Sequence, residues 1–191
     1  PILDDDLPNI ANEREKKIVL VGRLSEEKNI EMAIRAFSQT RHAGYTFHIY
    51  GSGPLLQKLQ DLVSQIHLEK EVFFEGQVVH VVDYIKNAEI LLLTSNFEGM
   101  PNALIEGLAM GLACISTNFP SGAAPELIDN GNNGFVVPMN DVNALTEKLQ
   151  ILIDNDDLRH KFQSKSVEIR QKLDLDIIIS KWIDFYNIDN N

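Results

Sequence analysis

The sequence predicts an α/β domain: a doubly wound, six-stranded parallel sheet flanked by helices. Three observations carry that prediction. Short continuous apolar runs at 18–21, 46–50, 72–74, 90–94, 113–117 and 135–138 read as buried strands. Stretches with apolar residues at helical spacing separate most of them, as alternating β and α units require. Glycine-bearing loops follow several runs, at Gly22, Gly51, Gly53 and Gly76. Right-handed crossovers bring such loops to one rim, where open α/β sheets bind ligands.

Residues 1–17 are polar and acidic, carry Pro1 and Pro8, and read as a linker entering the domain. Asp4, Asp5 and Asp6 invite a divalent-cation reading, but nothing nearby supplies a structured site, so they are expected to be solvated. The chain opens with Pro rather than Met and is expected to be a piece of a longer protein.

The first strand, 18–21, ends at Gly22. Beyond the loop lies a helix with Ile30, Ala33, Ile34 and Phe37 on one face and Asn29 as its expected cap. Arg23 and Lys28 fall at the carboxyl end of this strand. The second strand runs into Gly51-Ser52-Gly53-Pro54, which reads either as a tight turn or as a phosphate loop. It lacks the third glycine of the dinucleotide fingerprint. A helix with Leu55, Leu59, Leu62, Val63 and Ile66 on one face follows. After the third strand, His80 reads as a loop histidine, because no carboxylate is placed to orient it as a base. Residues 81–87 form a short helix before the fourth strand.

Cys114 sits inside the apolar fifth strand, cannot form an internal disulfide, and reads as core. The turn Asn130-Gly131-Asn132-Asn133-Gly134 precedes an edge strand ending at Pro138. Asp141 caps a helix burying Val142, Leu145, Leu149 and Leu152. Residues 156–173 read as a charged helical segment that closes the domain of 18–173. Residues 174–191 carry Ile178, Ile179, Trp182, Ile183 and Tyr186 as a broad apolar face, which packs on this domain or toward a part of the protein outside it.

The most informative stretch is 96–111, NFEGMPNALIEGLAMG. Gly99 and Pro101 break any helix back to Glu98, while Pro101 suits the first position of a helix through 110. The motif is therefore a loop running into a helix N-terminus. Unpaired N–H groups and the positive end of the helix dipole there favour an anion. Asn102 and Glu106, four residues apart, share one face. Leu104 and Leu108 face the sheet, and Gly107 permits close backbone contact. An anion cradle beside two carboxylates able to accept hydrogen bonds from hydroxyls suits a sugar attached to a phosphate.

Composition narrows the function classes. The 191 residues hold 44% hydrophobic residues, enough for one sizeable core. No apolar run approaches the roughly 20 residues of a membrane span. With 17 Lys and Arg against 28 Asp and Glu, the formal charge is −11, which speaks against nucleic acid as a partner. The lone cysteine fits a reducing cytoplasm.

Between about 18 and 152 the sequence resembles the carboxyl-terminal, donor-binding domain of retaining glycosyltransferases of group 1 (family 4) with the GT-B fold. The resemblance rests on VGRLSEEKN, HIYGSGP, VFFEGQV, the pair Glu98 and Glu106 eight residues apart, and NGNNGFVVP, in this order. It implies the Rossmann-like, carboxyl-terminal half of that fold and a transferase that takes its sugar from a nucleoside diphosphate, a UDP-sugar being favoured. Arg23 and Lys28 would hold the diphosphate and stabilise charge on the leaving group. Glu98 would sit near the donor-sugar hydroxyls, and Glu106 would accept hydrogen bonds from the ribose. Backbone amides of Gly99, Met100, Pro101-Asn102 and Ala103 would cradle sugar and phosphate, with Pro101 itself contributing no N–H. Gln77 and Val78 would face the base, while Gly22 and Gly53 would allow close backbone approach.

The resemblance implies no cofactor and no required metal. It implies an amino-terminal domain that binds a glycan or lipid-linked acceptor, so these residues alone are expected to be inactive. The location implied is cytoplasmic, with any contact to the inner membrane made through that other domain. One departure stands out: many relatives carry a paired glycine after the fifth strand, where this chain has Phe119-Pro120-Ser121-Gly122-Ala123-Ala124-Pro125-Glu126. Phosphate contact by that loop is therefore open. A non-catalytic nucleotide-sugar-binding module is the alternative. A paired-carboxylate hydrolase is disfavoured because Glu106 falls at the ribose, and a nicotinamide-dependent dehydrogenase because the G-x-G-x-x-G loop is absent.

Overall fold

The computed structural model describes residues 14–174 together with Ile177, Ile179, Ser180, Ile183 and Phe185. Six parallel strands form one sheet: β1 (Glu15–Val21), β2 (Thr46–Tyr50), β3 (Val72–Gly76), β4 (Ala88–Leu93), β5 (Ala113–Thr117) and β6 (Gly134–Val137). Their order, β3-β2-β1-β4-β5-β6, reverses direction between β1 and β4. That reversal opens a crevice at the carboxyl ends of the two central strands. β1 begins at Glu15, three residues before its apolar run, so 15–17, read above as linker, are strand. Glu15 pairs with Ala88 and Lys17 with Thr46. These charged residues lie at the sheet's rim and leave no apolar signal.

Among the described residues five helices connect the strands, α1 (Ile30–Ser38), α2 (Leu56–Gln65), α3 (Val82–Ile85), α4 (Asn102–Ala109) and α5 (Ala123–Leu127), and α6 (Val142–Asp154), α7 (Asp156–Ser166) and α8 (Ile169–Lys172) follow β6. One core packs α1, α2, α6 and α7 on the sheet face bearing Ile18, Leu20, Phe47 and Ile49. The other packs α3, α4, α5 and α8 around Val19, Leu91, Leu93 and Cys114. Cys114 is fully buried, and burial pushes its thiol above the ordinary range, as its reading as core requires.

Two expectations at helix starts resolve differently. Asp141 caps α6 by accepting a hydrogen bond from the Ala144 N–H at 2.9 Å, as expected. Asn29 occupies the N-cap position of α1, but its side chain makes no capping hydrogen bond. It closes the 3₁₀ turn Glu26–Lys28 in a left-handed conformation (φ 44°, ψ 46°), and its amide donates to Asn140 Oδ1 at 2.9 Å. Pro101 stands just before α4 rather than as its first residue, because ψ of 78° is not helical.

At the rim opposite the crevice a buried polar cluster ties α7 and the chain entry to β4. Arg159, 3% exposed, lies 2.9 Å from Glu89 Oε2 and donates to the Leu152 carbonyl at 2.6 Å. The Tyr45 hydroxyl also donates to Glu89, and burial drives its pKa upward. The Arg14 guanidinium donates to the carbonyls of Lys86, Ala88 and Met110 at 2.8–3.0 Å. Buried charges paired in this way are costly to separate.

Ile177, Ile179, Ile183 and Phe185 are 42–58% exposed. The remaining members of the predicted terminal face, Ile178, Trp182 and Tyr186, lie outside the described residues, as does the Asp4–Asp6 cluster.

Candidate functional site

The loops after β1, β2 and β3 are stitched to one another by backbone hydrogen bonds. The Gly22 N–H donates to the Tyr50 carbonyl (2.9 Å), the Leu24 N–H to Ser52 (3.0 Å) and the Gly51 N–H to Gly76 (2.7 Å). Gly51 and Gly53 make this possible. A Cβ at Gly51, where φ is +143°, would fall 1.9 Å from the Gly22 carbonyl oxygen, and one at Gly53 would fall 2.4 Å from that of Leu24. The bare backbone of the G-S-G-P segment therefore meets another loop, so Gly51 and Gly53 are needed for loop packing, and Gly53 also lines the groove described next.

Between these loops and α4 runs an open groove of ≈ 1450 Å³. Gly22 and Arg23 enter it after β1, Gly53 after β2, Gln77 and Val78 after β3, and Asn102 and Glu106 from α4. Seven of the expected site residues thus converge. The other six, Lys28, Glu98, Gly99, Met100, Pro101 and Ala103, do not line it. Arg23 is exposed and has no ion pair among the described residues. Glu106 lines the groove from α4, where burial raises its carboxyl above the ordinary value. His80 also lines the groove, exposed and without a carboxylate partner among the described residues.

Lys28 and Glu98 form a second cluster at the carboxyl ends of β1 and β4. Lys28 Nζ lies 2.6 Å from Glu98 Oε1, and the buried Ser95 hydroxyl donates to the same oxygen at 2.7 Å. The segments bearing them are joined directly. Thr94 Oγ1 donates to the Lys28 carbonyl (2.9 Å) and the Asn96 N–H to the Glu27 carbonyl (2.7 Å). The loop 118–126 reaches this region only at its margin, through Ser121 Oγ to the Gly99 carbonyl at 3.4 Å. It does not line the groove.

Two contributors escape the sequence reading. α8 supplies Ile169 and Arg170 to the groove wall, and Arg170 Nε donates to the Ala109 carbonyl at the end of α4 (2.7 Å). A charged terminal helix gives no sign of where it will dock. Ser95 is the other; its only signal is a polar pair, Thr94-Ser95, that follows the apolar run Ile90 to Leu93.

Residues 4–168 match the family model of the group 1 glycosyl transferases, and the chain belongs to that family. It is 31% identical over 168 residues to the N-acetylgalactosamine-N,N'-diacetylbacillosaminyl-diphospho-undecaprenol 4-alpha-N-acetylgalactosaminyltransferase of Campylobacter jejuni, covering 84% of this chain and 46% of that enzyme. The chain therefore spans less than half the length of that relative. Among solved structures, the pneumococcal O-GlcNAc transferase GtfA in complex with UDP and GlcNAc superposes with a TM-score of 0.82 at 24% identity, over 94% of this chain and 37% of that one. The carboxyl-terminal domain of a group 1 glycosyl transferase, LpcC, from Francisella tularensis superposes at 0.76 and 24% identity, over 89% of each. These likenesses establish the doubly wound fold as that of carboxyl-terminal glycosyltransferase domains.

Proposed function

We propose that this chain is the donor-binding domain of a retaining glycosyltransferase, which moves a sugar from a nucleoside diphosphate to a glycan or lipid-linked acceptor. The observation that carries the reading is the groove itself. In a chain of formal charge −11, Arg23, in no ion pair among the described residues, follows the central strand β1 and lines the same groove as the Glu106 carboxylate of α4. Arg23 and Lys28 are assigned to the diphosphate, where fixed cations offset the charge that develops on the departing oxygen. Glu106, sharing its helix face with Asn102, accepts from the ribose hydroxyls. Gln77 and Val78 flank the base, and Glu98 with the amides after Gly99 addresses the sugar.

UDP is the favoured nucleotide, in keeping with the UDP bound to the superposed GtfA. The cationic side chains serve the diphosphate without a required metal. Acceptor binding, and any contact with the inner membrane from the cytoplasmic side, are assigned to a further domain, in keeping with the chain's covering 46% of its Campylobacter jejuni relative.

Calorimetric titration with UDP, GDP and ADP tests this reading. One nucleotide is expected to bind, and Arg23→Ala and Glu106→Ala each to weaken it about tenfold or more, the scale of a lost hydrogen bond to a charged group. Absence of binding to millimolar nucleotide, or indifference to both substitutions, would overturn it.

A further inference from the structure

We propose that Ser95 is a positioning residue for the donor sugar: with Lys28 it locks one oxygen of Glu98, so that the other is held out as a single fixed acceptor. The proposal rests on the donor-site reading above and extends it to a residue that reading does not use.

Glu98 is a buried carboxylate, and such a group must be paired and hydrogen-bonded to remain charged. Both of its protein partners reach the same atom. Lys28 Nζ lies 2.6 Å and Ser95 Oγ 2.7 Å from Oε1. Oε2 accepts no hydrogen bond among the described residues and is not sealed from solvent. One oxygen thus carries both contacts, and the other keeps its acceptor capacity. Two donors converging on one atom from different elements fix the carboxylate's rotation, which a lysine on a flexible stem cannot do alone.

Ser95 is itself held. It is fully buried, and its carbonyl accepts from Thr117 Oγ1 on β5 at 2.6 Å. Its neighbour Thr94 anchors the Lys28 backbone. The dipeptide at the end of β4 therefore sets both members of the Lys28–Glu98 pair, one through a side chain and the other through a carbonyl. Such a supporting shell keeps a binding group within the small tolerance that recognition needs. In the unliganded protein the pair neutralises itself. On donor binding the diphosphate draws on Lys28, and the Ser95 bond keeps Glu98 in place while a sugar hydroxyl donates to Oε2.

The test compares UDP with UDP-sugars. Dissociation constants for UDP and for UDP-glucose, UDP-N-acetylglucosamine and UDP-N-acetylgalactosamine are measured calorimetrically on the unsubstituted chain and on Ser95→Ala, Ser95→Cys and Ser95→Thr, with thermal melting as the check on folding. The unsubstituted chain is expected to bind one UDP-sugar more tightly than UDP. Ser95→Ala should leave UDP within about twofold and weaken that UDP-sugar about tenfold, the scale of a lost hydrogen bond to a charged group. Ser95→Thr, which keeps the hydroxyl, should retain most of the preference. A purely structural role would move UDP and UDP-sugar together.

A Ser95→Ala protein with native melting and an unchanged UDP-sugar preference would overturn the proposal, as would a loss shared equally by both ligands. If Ser95→Ala does not fold, Ser95→Cys, nearly isosteric and a weak donor, is read by the same criteria. Binding of UDP without any gain from a sugar in the unsubstituted chain would reject the role of Ser95 and leave the nucleotide site standing. Failure to bind any nucleotide would remove both.

Discussion

Glu106 illustrates how a single side chain ties function to stability. Its carboxyl is half withdrawn from water on the α4 wall, and desolvation raises its pKa above the ordinary 4.5. Between the ordinary and the raised value the folded state binds more protons than the unfolded chain. Stability conferred by the neutral form is therefore present at low pH and lost as pH rises through that window. Glu106→Gln should raise the thermal midpoint at pH 7 by about 1–3 °C, a modest effect because water still screens the group. The gain should vanish at pH 4, and UDP binding should weaken. Parallel melting curves at the two pH values check this, and a lower midpoint at pH 7 would contradict it. At this scale the sequence was partly legible. The positions of Arg23, Lys28 and Glu98 in loops after strands, and of Glu106 on a helix face, could be read from the sequence, and the structure places them there. That Lys28 and Glu98 pair with each other, apart from the groove, could not, because 70 residues separate them and only strand order makes them neighbours.

Among the elements, α4 is the one whose placement matters most, since it carries Asn102 and Glu106. It lies close to the sheet because Gly107 has no side chain. A Cβ there would fall 2.6 Å from Leu91 Cδ1 and 3.4 Å from Cys114 Sγ, both on fully buried residues. Gly107→Ala gains about 0.5–1 kcal/mol of helix propensity, but it forces overpacking that costs about 1–3 kcal/mol. The net expectation is a loss of about 1–2 kcal/mol in urea unfolding, accompanied by weaker UDP binding as the helix is pushed from the sheet. An unchanged urea midpoint with unchanged affinity would count against a close-packing role. The small residues of 99–111 already pointed to close contact, but its partner strand is decided by the pairing of β4 with β1 and β5. The Asn29 side-chain cap failed for a related reason: a 3₁₀ turn, which leaves no periodic pattern, uses that residue as its end.

Over the molecule as a whole, the division of labour has a direct consequence. The groove and the Lys28–Glu98 cluster lie at the carboxyl rim, whereas the buried Arg159–Glu89 and Arg14 networks secure the opposite rim. If the carboxyl rim binds the donor as proposed, the paired and hydrogen-bonded groups at the opposite rim support it. The 191-residue chain is expected to bind UDP with or without EDTA and to transfer no sugar. A radiolabelled-sugar transfer assay beside the calorimetry checks both parts, and turnover by this chain alone would contradict the second.

By itself the sequence determined the strand and helix succession, the single buried cysteine, the Asp141 cap and the kinds of polar group carried by the loops after the strands. All of these follow from local periodicity, turn chemistry and side-chain type. Only the tertiary structure decided which loops share the groove, that Gly51 and Gly53 serve loop packing, that α8 closes one wall and that Ser95 holds Glu98. Those outcomes depend on strand order and on contacts between residues far apart in the chain, and no local pattern records either.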